Sequence, residues 1–258
     1  MLDFDWVKYE EEVRNTVEIN NGNPKDSVFF RDGIVNIDEW NKEENCKILF
    51  LLKEVNDQRK DENDCKCKKS WRNLVNKEDV CDIFTEYMWR KLAFLATGIQ
   101  TAIKNNTAAN PDEWEFFNSE EGKKTFAEKE QEIAISKVAI MNMKKLGGGG
   151  TADSKKSNYT LHYTDHCKMF SEQIKEQIEC INPSIIVCCS PDVYENLNKY
   201  VYKLRRKNGK FPDTINNRII VKGYHPSYEN RKRDIFKNIF YADTINTCLK
   251  IWRNMHNI

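Results

Sequence analysis

Four short apolar runs constrain the fold of this chain more than any other feature of its sequence. The runs occupy residues 47–52 (KILFLL), 137–142 (KVAIMN), 184–189 (SIIVCC) and 218–222 (RIIVK). Each run is rich in Ile, Val and Leu, does not alternate with polar residues, and is too short to be a helix. Each therefore predicts a strand that is buried on both faces of a sheet.

The segments between the later runs have helical periodicity. Apolar residues recur at every third or fourth position in residues 170–181, 193–201 and 235–252, which indicates amphipathic helices. Ser190-Pro191 adds an N-cap followed by proline at the first helical position. Strands that alternate with helices predict parallel strands joined by right-handed crossovers. We therefore expect an α/β fold, a three-layer α/β/α sandwich with a central, mostly parallel four-stranded sheet.

The length of 258 residues suits a single domain with a substantial core. Residues 1–45 predict an N-terminal extension, which consists of a helix over residues 6–19 and a hairpin that turns at Asp32-Gly33. Residues 57–135 are too many for one crossover and contain enough apolar positions for helices, so they predict a helical insertion.

Composition excludes several functional classes. The 41 Lys and Arg residues balance 40 Asp and Glu residues, so the chain has no overall basic or acidic character and any anion site must be local. No apolar stretch approaches the length of about 18 residues that a membrane span needs, and residues 1–6 lack the order of a signal peptide. The nine Cys residues lack the spacing of a disulfide framework. We expect a cytoplasmic protein with reduced thiols and no membrane partner.

Polar residues follow each predicted strand. In an open parallel sheet, ligands bind outside the carboxyl ends of the strands. The residues at these ends are Glu54, Asn56 and Asp57, then Asn142 with the glycines 147–150, then Ser190, and finally His225 with Ser227. Each feature alone has an ordinary explanation, since a Glu after a strand is usually solvated, a lone His is usually structural and four glycines can form a linker. Their placement at one edge favours a functional site.

The order of these segments resembles the uracil-DNA glycosylase superfamily. The resemblance is carried by residues 138–142 (VAIMN), 181–187 (INPSIIV) and 224–228 (YHPSY). Its most specific element is a strand that delivers His225-Pro226-Ser227, which matches the second motif of that superfamily. Residues 52–56 (LKEVN) match the first motif by position only, because they lack its Gly and Pro. The Cys pattern of the iron–sulfur branches is also missing, so we expect no cofactor.

The resemblance implies a DNA glycosylase that hydrolyses the N-glycosidic bond of a flipped-out base and leaves an abasic site. Such a reaction develops positive charge on the sugar and negative charge on the departing base. Glu54 would stabilise the sugar cation and orient the water, and Asn56 or Asp57 would do so if the loop were shifted. His225 would donate a hydrogen bond to the base as it becomes an anion.

The resemblance also implies how the base is bound. Asn142 would pair with the Watson–Crick edge of the base, although an Asn that only tethers the glycine-rich loop is the alternative. Trp71 or Tyr87 would stack on the base. Asn56 stands where uracil-specific members carry a Tyr that excludes a methyl group at C5. We therefore expect a C5-substituted pyrimidine of the kind found in some viral DNA, which would suit phage defence as well as repair.

Contacts with the DNA backbone are expected from two kinds of residue. Hydroxyl and backbone groups near the site could hold phosphates, and a basic cluster follows the His-Pro-Ser motif. The candidates are Gly147, Gly148, Gly149, Ser190, Ser227, Tyr228, Arg231 and Arg233. A second basic run, at residues 203–210, is the less favoured candidate, because charge runs are usually solvated. We expect a monomer that binds single- or double-stranded DNA.

Three competing hypotheses remain at this point. A zinc site could form from His162, His166 and Cys167 together with Cys65 and Cys67, but the lack of a Cys-x-x-Cys pair disfavours it, so we expect no metal. A non-catalytic DNA- or protein-binding module could retain the same fold with an altered first motif. A nucleotide or nucleoside hydrolase would use the same edge of the sheet on a small molecule.

Overall fold

The structure is a computed structural model that describes residues 4–19, 29–56, 86–125, 128–148, 161–226 and 241–257. The described part of the chain forms one mixed sheet with helices on both of its faces. The strands are β1 (Gly33–Ile34), β2 (Ile48–Asn56), β3 (Val138–Gly148), β4 (Ile185–Cys188), β5 (Thr214–Ile215) and β6 (Arg218–Lys222). The helices are α1 (Trp6–Ile19), α2 (Ile37–Trp40), α3 (Glu86–Asn105), α4 (Asp112–Asn118), α5 (Glu120–Thr125), α6 (Glu128–Ser136), α7 (Tyr163–Met169), α8 (Ser171–Ile181), α9 (Pro191–Asn196), which continues into a π-helical turn (Leu197–Val201), and α10 (Asp243–His256).

The sheet has the order β1-β3-β2-β4-β6-β5. Its four central strands, β3, β2, β4 and β6, are parallel and correspond to the four apolar runs. The expected count of four strands is wrong, because β1 and β5 add an antiparallel strand at each edge. Each edge strand has two residues, which is too short to produce a pattern in the sequence.

The core lies in two layers, one on each face of the central strands. Side chains alternate along each strand, so Phe50 and Val187 pack toward α3, α6 and α10, whereas Leu49 and Ile186 pack toward α7, α8 and α9. All four side chains are buried. This arrangement explains why the four runs are apolar at every position.

Strands β2 and β3 extend beyond the apolar runs that predicted them. Residues 53–56, expected to form a loop, continue β2, and residues 143–148 continue β3. Glu54 pairs with Lys144, and Asn56 pairs with Gly148 after a shift in register. The two extensions satisfy each other's backbone hydrogen bonds, which permits polar residues to continue both strands. Gly147 and Gly148 are therefore strand residues and not part of a loop.

The N-terminal helix spans the predicted residues, but the predicted hairpin is wrong. Phe29 pairs with Leu146, and Gly33 pairs with Ile140. The chain from Phe29 to Ile34 thus runs antiparallel along β3 and does not fold back on itself. Asp32, which was predicted to lie in the turn of the hairpin, is buried and accepts hydrogen bonds from Asn142 and Lys145 of β3.

The described portion of residues 57–135 is helical and contains α3 to α6. Helix α3 packs against α6 and α10 on one face of the sheet. No helix in the described ranges is long and apolar enough to cross a membrane.

Candidate functional site

The carboxyl ends of the central strands are staggered, and we call the place beyond the end of β4, where its neighbour β2 continues, the recess. In the last common row of the sheet, Cys188 pairs with Leu51 on one side and with Lys222 on the other. Beyond this row β4 ends and the chain enters α9, whereas β2 continues for five residues from Leu52 to Asn56. The recess therefore separates the β2 extension from the segment after β6 by two strand spacings, or about 10 Å. The first turn of α9 borders this place, because Asp192 contacts Lys53.

The recess also lies where the strand order reverses. Strand β2 has β3 on one side and β4 on the other, so the connections that leave these strands diverge, and such points are the usual ligand sites of open α/β sheets. Lys53 occupies this position, with its Nζ atom 3.7 Å from Oδ2 of Asp192. The same ammonium group lies 5.2 Å from the ring centroid of Tyr163. A partly exposed cation thus stands at the mouth of the recess.

His225 follows β6 at this edge of the sheet and is half-buried. Burial lowers the pKa of His225 below its ordinary value of 6.5, and the positive charge of Lys91 lowers that pKa further. Both effects disfavour the imidazolium form. The imidazole is therefore neutral near pH 7, and a neutral imidazole still donates one N–H hydrogen bond.

Lys91 is a charged residue of this region that the sequence analysis missed. It lies on α3, and only 1% of its surface is exposed. A signal was present in the sequence, because Lys91 occupies the apolar stripe that Leu95 and Ile99 continue at steps of four residues. A lysine at such a position is rarely buried without a specific role.

Asn142 was expected at the carboxyl end of its strand. It lies instead within β3, which continues to Gly148. Its side chain is 2% exposed. Its backbone N–H donates to Oδ2 of Asp32 at 2.7 Å, and its side-chain Nδ2 donates to the same oxygen at 3.2 Å. The described contacts make Asn142 a structural residue of the sheet edge, and they correct the expectation that it reads a base.

The partner of Asn142 belongs to a buried polar network that holds β1, β3 and α8 together. Lys145 Nζ donates to Oδ1 of Asp32 at 2.5 Å. Gln177 Nε2 donates to the same carboxylate oxygen at 2.9 Å and to the backbone oxygen of Asp32 at 3.1 Å. Burial lowers the pKa of Lys145, and the charge of Asp32 opposes that effect. Neither Lys145 nor Gln177 was predicted to be a site residue.

The structure describes the remaining predicted site residues to different extents. The backbones of Glu54 and Asn56 lie in β2, Tyr87 lies in the first turn of α3, and the structure does not describe these side chains. Ser190 is the N-cap of α9, and its hydroxyl oxygen accepts from the N–H of Val193 at 3.1 Å. The predicted residues that fall outside the described ranges are Asp57, Trp71, Gly149, Ser227, Tyr228, Arg231 and Arg233.

The described histidines do not support the zinc hypothesis. Nε2 of His166 lies 3.2 Å from the hydroxyl oxygen of Tyr9, and both side chains are buried. Burial lowers the pKa of His166 to about 3, with smaller contributions from the charges of Lys144 and Lys145. Within the described ranges, no group of three or more His, Cys, Asp or Glu residues could hold a metal ion. His166 is thus a neutral, buried partner of Tyr9.

The edge of the sheet therefore combines a neutral imidazole at His225, the buried cation Lys91 and a recess beside the backbone of Glu54. No protein-family model matches the sequence, and no curated protein matches it.

Proposed function

We propose that this protein is a DNA glycosylase related to the uracil-DNA glycosylase superfamily, which hydrolyses the N-glycosidic bond of a flipped-out, C5-substituted pyrimidine. The observation that carries the proposal is the position of the half-buried His225 just after the carboxyl end of β6, where burial and the charge of Lys91 both lower its pKa. The four parallel central strands with helices on both faces of the sheet support the proposal, because they are compatible with the α/β/α sandwich that the resemblance implies.

The proposed role of His225 concerns the departing base. As the glycosidic bond breaks, the base takes the bonding electrons and becomes an anion. A neutral imidazole donates a hydrogen bond to the base oxygen on which this charge develops, which lowers the barrier in a site where water is restricted. The positive charge of Lys91 stabilises the same anion and keeps His225 in its neutral form.

The proposed counterpart on the sugar side is a carboxylate on the β2 extension. Glu54 occupies the position that corresponds to the acidic residue of the first motif, and Asn56 or Asp57 is the alternative for positioning the water. A carboxylate there stabilises the positive charge on the sugar. In this proposal the nucleoside binds between the β2 extension and the segment after β6, which are two strand spacings, or about 10 Å, apart, so that the opposite charges lie on its two sides.

The proposed substrate follows from the same segment of β2. Asn56 replaces the bulky aromatic residue that blocks the C5 position in uracil-specific members, and a shorter side chain leaves room for a substituent there. The nucleotide comes from single-stranded DNA or is flipped out of a duplex, because its glycosidic bond is inaccessible in stacked DNA. The protein acts as a monomer in this proposal, since the site needs only residues of one chain.

The test measures release of bases from labelled oligonucleotides that contain uracil or C5-modified pyrimidines, with mass spectrometry of the bases and alkaline cleavage of the abasic strand. We expect His225→Ala to lower the rate by about 10²–10³-fold, the effect of removing one donor to a developing anion. The matched control is His162→Ala, because His162 is exposed. Glu54→Gln, with the exposed Glu18 changed to Gln as its control, tests the carboxylate.

Two results would contradict the proposal. DNA binding without base release would leave a binding module, and release from free nucleotides alone would indicate a nucleotide or nucleoside hydrolase. Efficient release of uracil without release of C5-substituted bases would overturn the proposed substrate but not the reaction.

A further inference from the structure

A short basic hairpin lies between the π-helical turn and β5, and we define it as residues 205–210. The N–H of Lys207 donates to the oxygen of Lys210 at 2.8 Å, and the N–H of Lys210 donates back at 3.2 Å. Asn208 and Gly209 form the turn, with φ angles of 53° and 78°. Positive φ at both central residues identifies a tight hairpin turn of the kind that Asn-Gly favours. The tip of this hairpin is therefore well defined.

The inner face of the basic hairpin is anchored to the protein. The guanidinium group of Arg206 lies 4.9 Å from the ring centroid of Phe211 and donates to Glu195 at 2.5 Å. Phe211 is buried, and its ring lies 6.1 Å from that of Tyr194 in an edge-to-face arrangement. Because side chains alternate along extended chain, residues adjacent to Arg206 and Phe211 take the opposite face. Arg205, Lys207 and Lys210 therefore share the outer face, and all three are exposed, as Arg206 is too.

This outer face holds like charges against each other. Lys207 and Lys210 are directly opposed across the turn, and like charges in opposed positions destabilise a pair of strands. Residues 203–210 contain five basic residues and no acidic one. Lys203 is paired with Glu172 and Arg206 with Glu195. Among the described contacts, the three exposed residues of the outer face make no ion pair that would relieve the repulsion.

The hairpin lies at the same edge of the sheet as His225. Strand β5 is antiparallel to β6, and the oxygen of Asp213 accepts from the N–H of Ile220 at 2.9 Å. Residues that precede Asp213 therefore lie toward the carboxyl end of β6, which leads to His225. The contact between Phe211 and Tyr194 agrees with this placement, because Tyr194 is in the α9 helix that begins at the end of β4.

We propose that the basic hairpin binds the phosphate backbone of a nucleic-acid strand, with Lys207 and Lys210 on one phosphate and Arg205 on a neighbouring one. A phosphodiester offers two non-bridging oxygens to the two opposed ammonium groups, and its charge removes their repulsion. A strand supplies further phosphates at regular intervals, which suits a row of cations. The proposal rests on the proposed function in one respect, namely that the bound strand presents its nucleotide to the recess beside His225.

The test measures binding of fluorescein-labelled single-stranded and duplex DNA by anisotropy over a range of KCl concentrations. The variant is Lys207→Gln with Lys210→Gln, and the control is Lys104→Gln with Lys250→Gln, which removes the same charge from exposed positions on α3 and α10. We expect each hairpin lysine to contribute about 1 to the slope of log K against log salt, so the double variant loses about 2 from that slope. The control retains the slope of the wild type.

The possible results distinguish the proposed DNA binding by the basic hairpin from the proposed glycosylase function. Loss of slope in the hairpin variant supports the hairpin proposal, and it does so even if the wild type releases no base, which would refute only the proposed function. A hairpin variant that binds DNA with the slope of the wild type overturns the proposal, as does a wild type that does not bind DNA. Displacement of DNA by polyglutamate as effectively as by unlabelled DNA would also overturn it, because an acidic protein surface would then be the partner.

Discussion

The ammonium group of Lys145 donates a 2.5 Å hydrogen bond to the carboxylate of Asp32, and both side chains are buried. Removing two charges from water is unfavourable, and their attraction offsets this only when further hydrogen bonds satisfy the ions. Asn142 and Gln177 supply such bonds to Asp32. These contacts tie the N-terminal segment to β3 and α8.

Replacing Asp32 with Asn should destabilise the protein strongly. The substitution leaves the buried ammonium group of Lys145 without its counter-charge, and breaking a buried ion pair on one side costs about 3–5 kcal/mol. Urea denaturation followed by circular dichroism measures the free energy of unfolding. Asp38→Asn is the matched control, because Asp38 is exposed on α2, and it should change the free energy by less than about 0.5 kcal/mol.

A second variant keeps this prediction informative if Asp32→Asn fails to fold. The double substitution Asp32→Asn and Lys145→Met removes both charges, and it should recover a large part of the lost stability. A single variant as stable as the wild type would show that the pair contributes little. A double variant no more stable than the single one would show that the loss has another origin.

The central strands could be predicted from the sequence because both of their faces are buried, which makes every position apolar. The extensions of β2 and β3 could not, since residues such as Glu54 and Lys144 are polar and are retained in strands by pairing with each other. The contact between Asp32 and Lys145 joins residues 113 positions apart. A single sequence shows the two charges but not that they meet.

The candidate site also contains residues whose positions could be predicted from the sequence and residues whose positions could not. The position of His225 follows from the predicted strands alone, because the carboxyl ends of parallel strands lie at one edge of the sheet. Asn142 was misplaced because the end of β3 was set where its apolar residues end, whereas the strand continues to Gly148. Lys91 was missed because its place in the apolar stripe of α3 indicates that it is buried but not that it lies close to His225.

His166 should make the protein less stable in acid. Its pKa is lowered from 6.5 to about 3 in the folded protein, so between these values the unfolded chain binds a proton that the folded chain does not. The contribution of neutral His166 to the free energy of unfolding is complete above pH 6.5. This contribution is lost as the pH falls toward 3, at about 1.4 kcal/mol for each pH unit. Urea denaturation at pH values between 7 and 4 measures this slope.

The variant for this prediction removes His166 together with its partner, so that no hydroxyl is left buried without a hydrogen bond. His166→Phe combined with Tyr9→Phe should reduce the pH dependence below pH 6.5 by the contribution of one proton. His162→Gln is the control, because His162 is exposed just before the same helix. An unchanged pH dependence in the double variant would exclude His166 as the titrating group.

Lys91 should control the ionisation of His225. The charge of Lys91 lowers the pKa of His225, so Lys91→Met should raise that pKa toward 6.5, while burial keeps it from reaching the value of a solvated imidazole. Titration of the imidazole resonances by NMR measures the shift and needs no substrate. Lys104→Met, at the exposed end of the same helix, should leave the pKa unchanged. A wild-type pKa at or above 6.5 would contradict the geometry of the site.

Gly98 allows helices α3 and α10 to pack closely. A Cβ atom at this position would collide with Cδ1 of Ile245 and would lie 3.1 Å from the ring of Tyr241. Because Cδ1 is the end of a flexible side chain, the overpacking in Gly98→Ala should cost about 1–2 kcal/mol, and the helix preference of alanine should offset about 1 kcal/mol of this cost, which leaves a small net destabilisation. Urea denaturation measures the change, and Thr101→Ala on the exposed face of α3 is the control.

Ile245→Val removes the colliding Cδ1 atom, so Gly98→Ala combined with Ile245→Val should be less destabilising than the sum of the two single changes. Strict additivity would show that the two residues are not in contact.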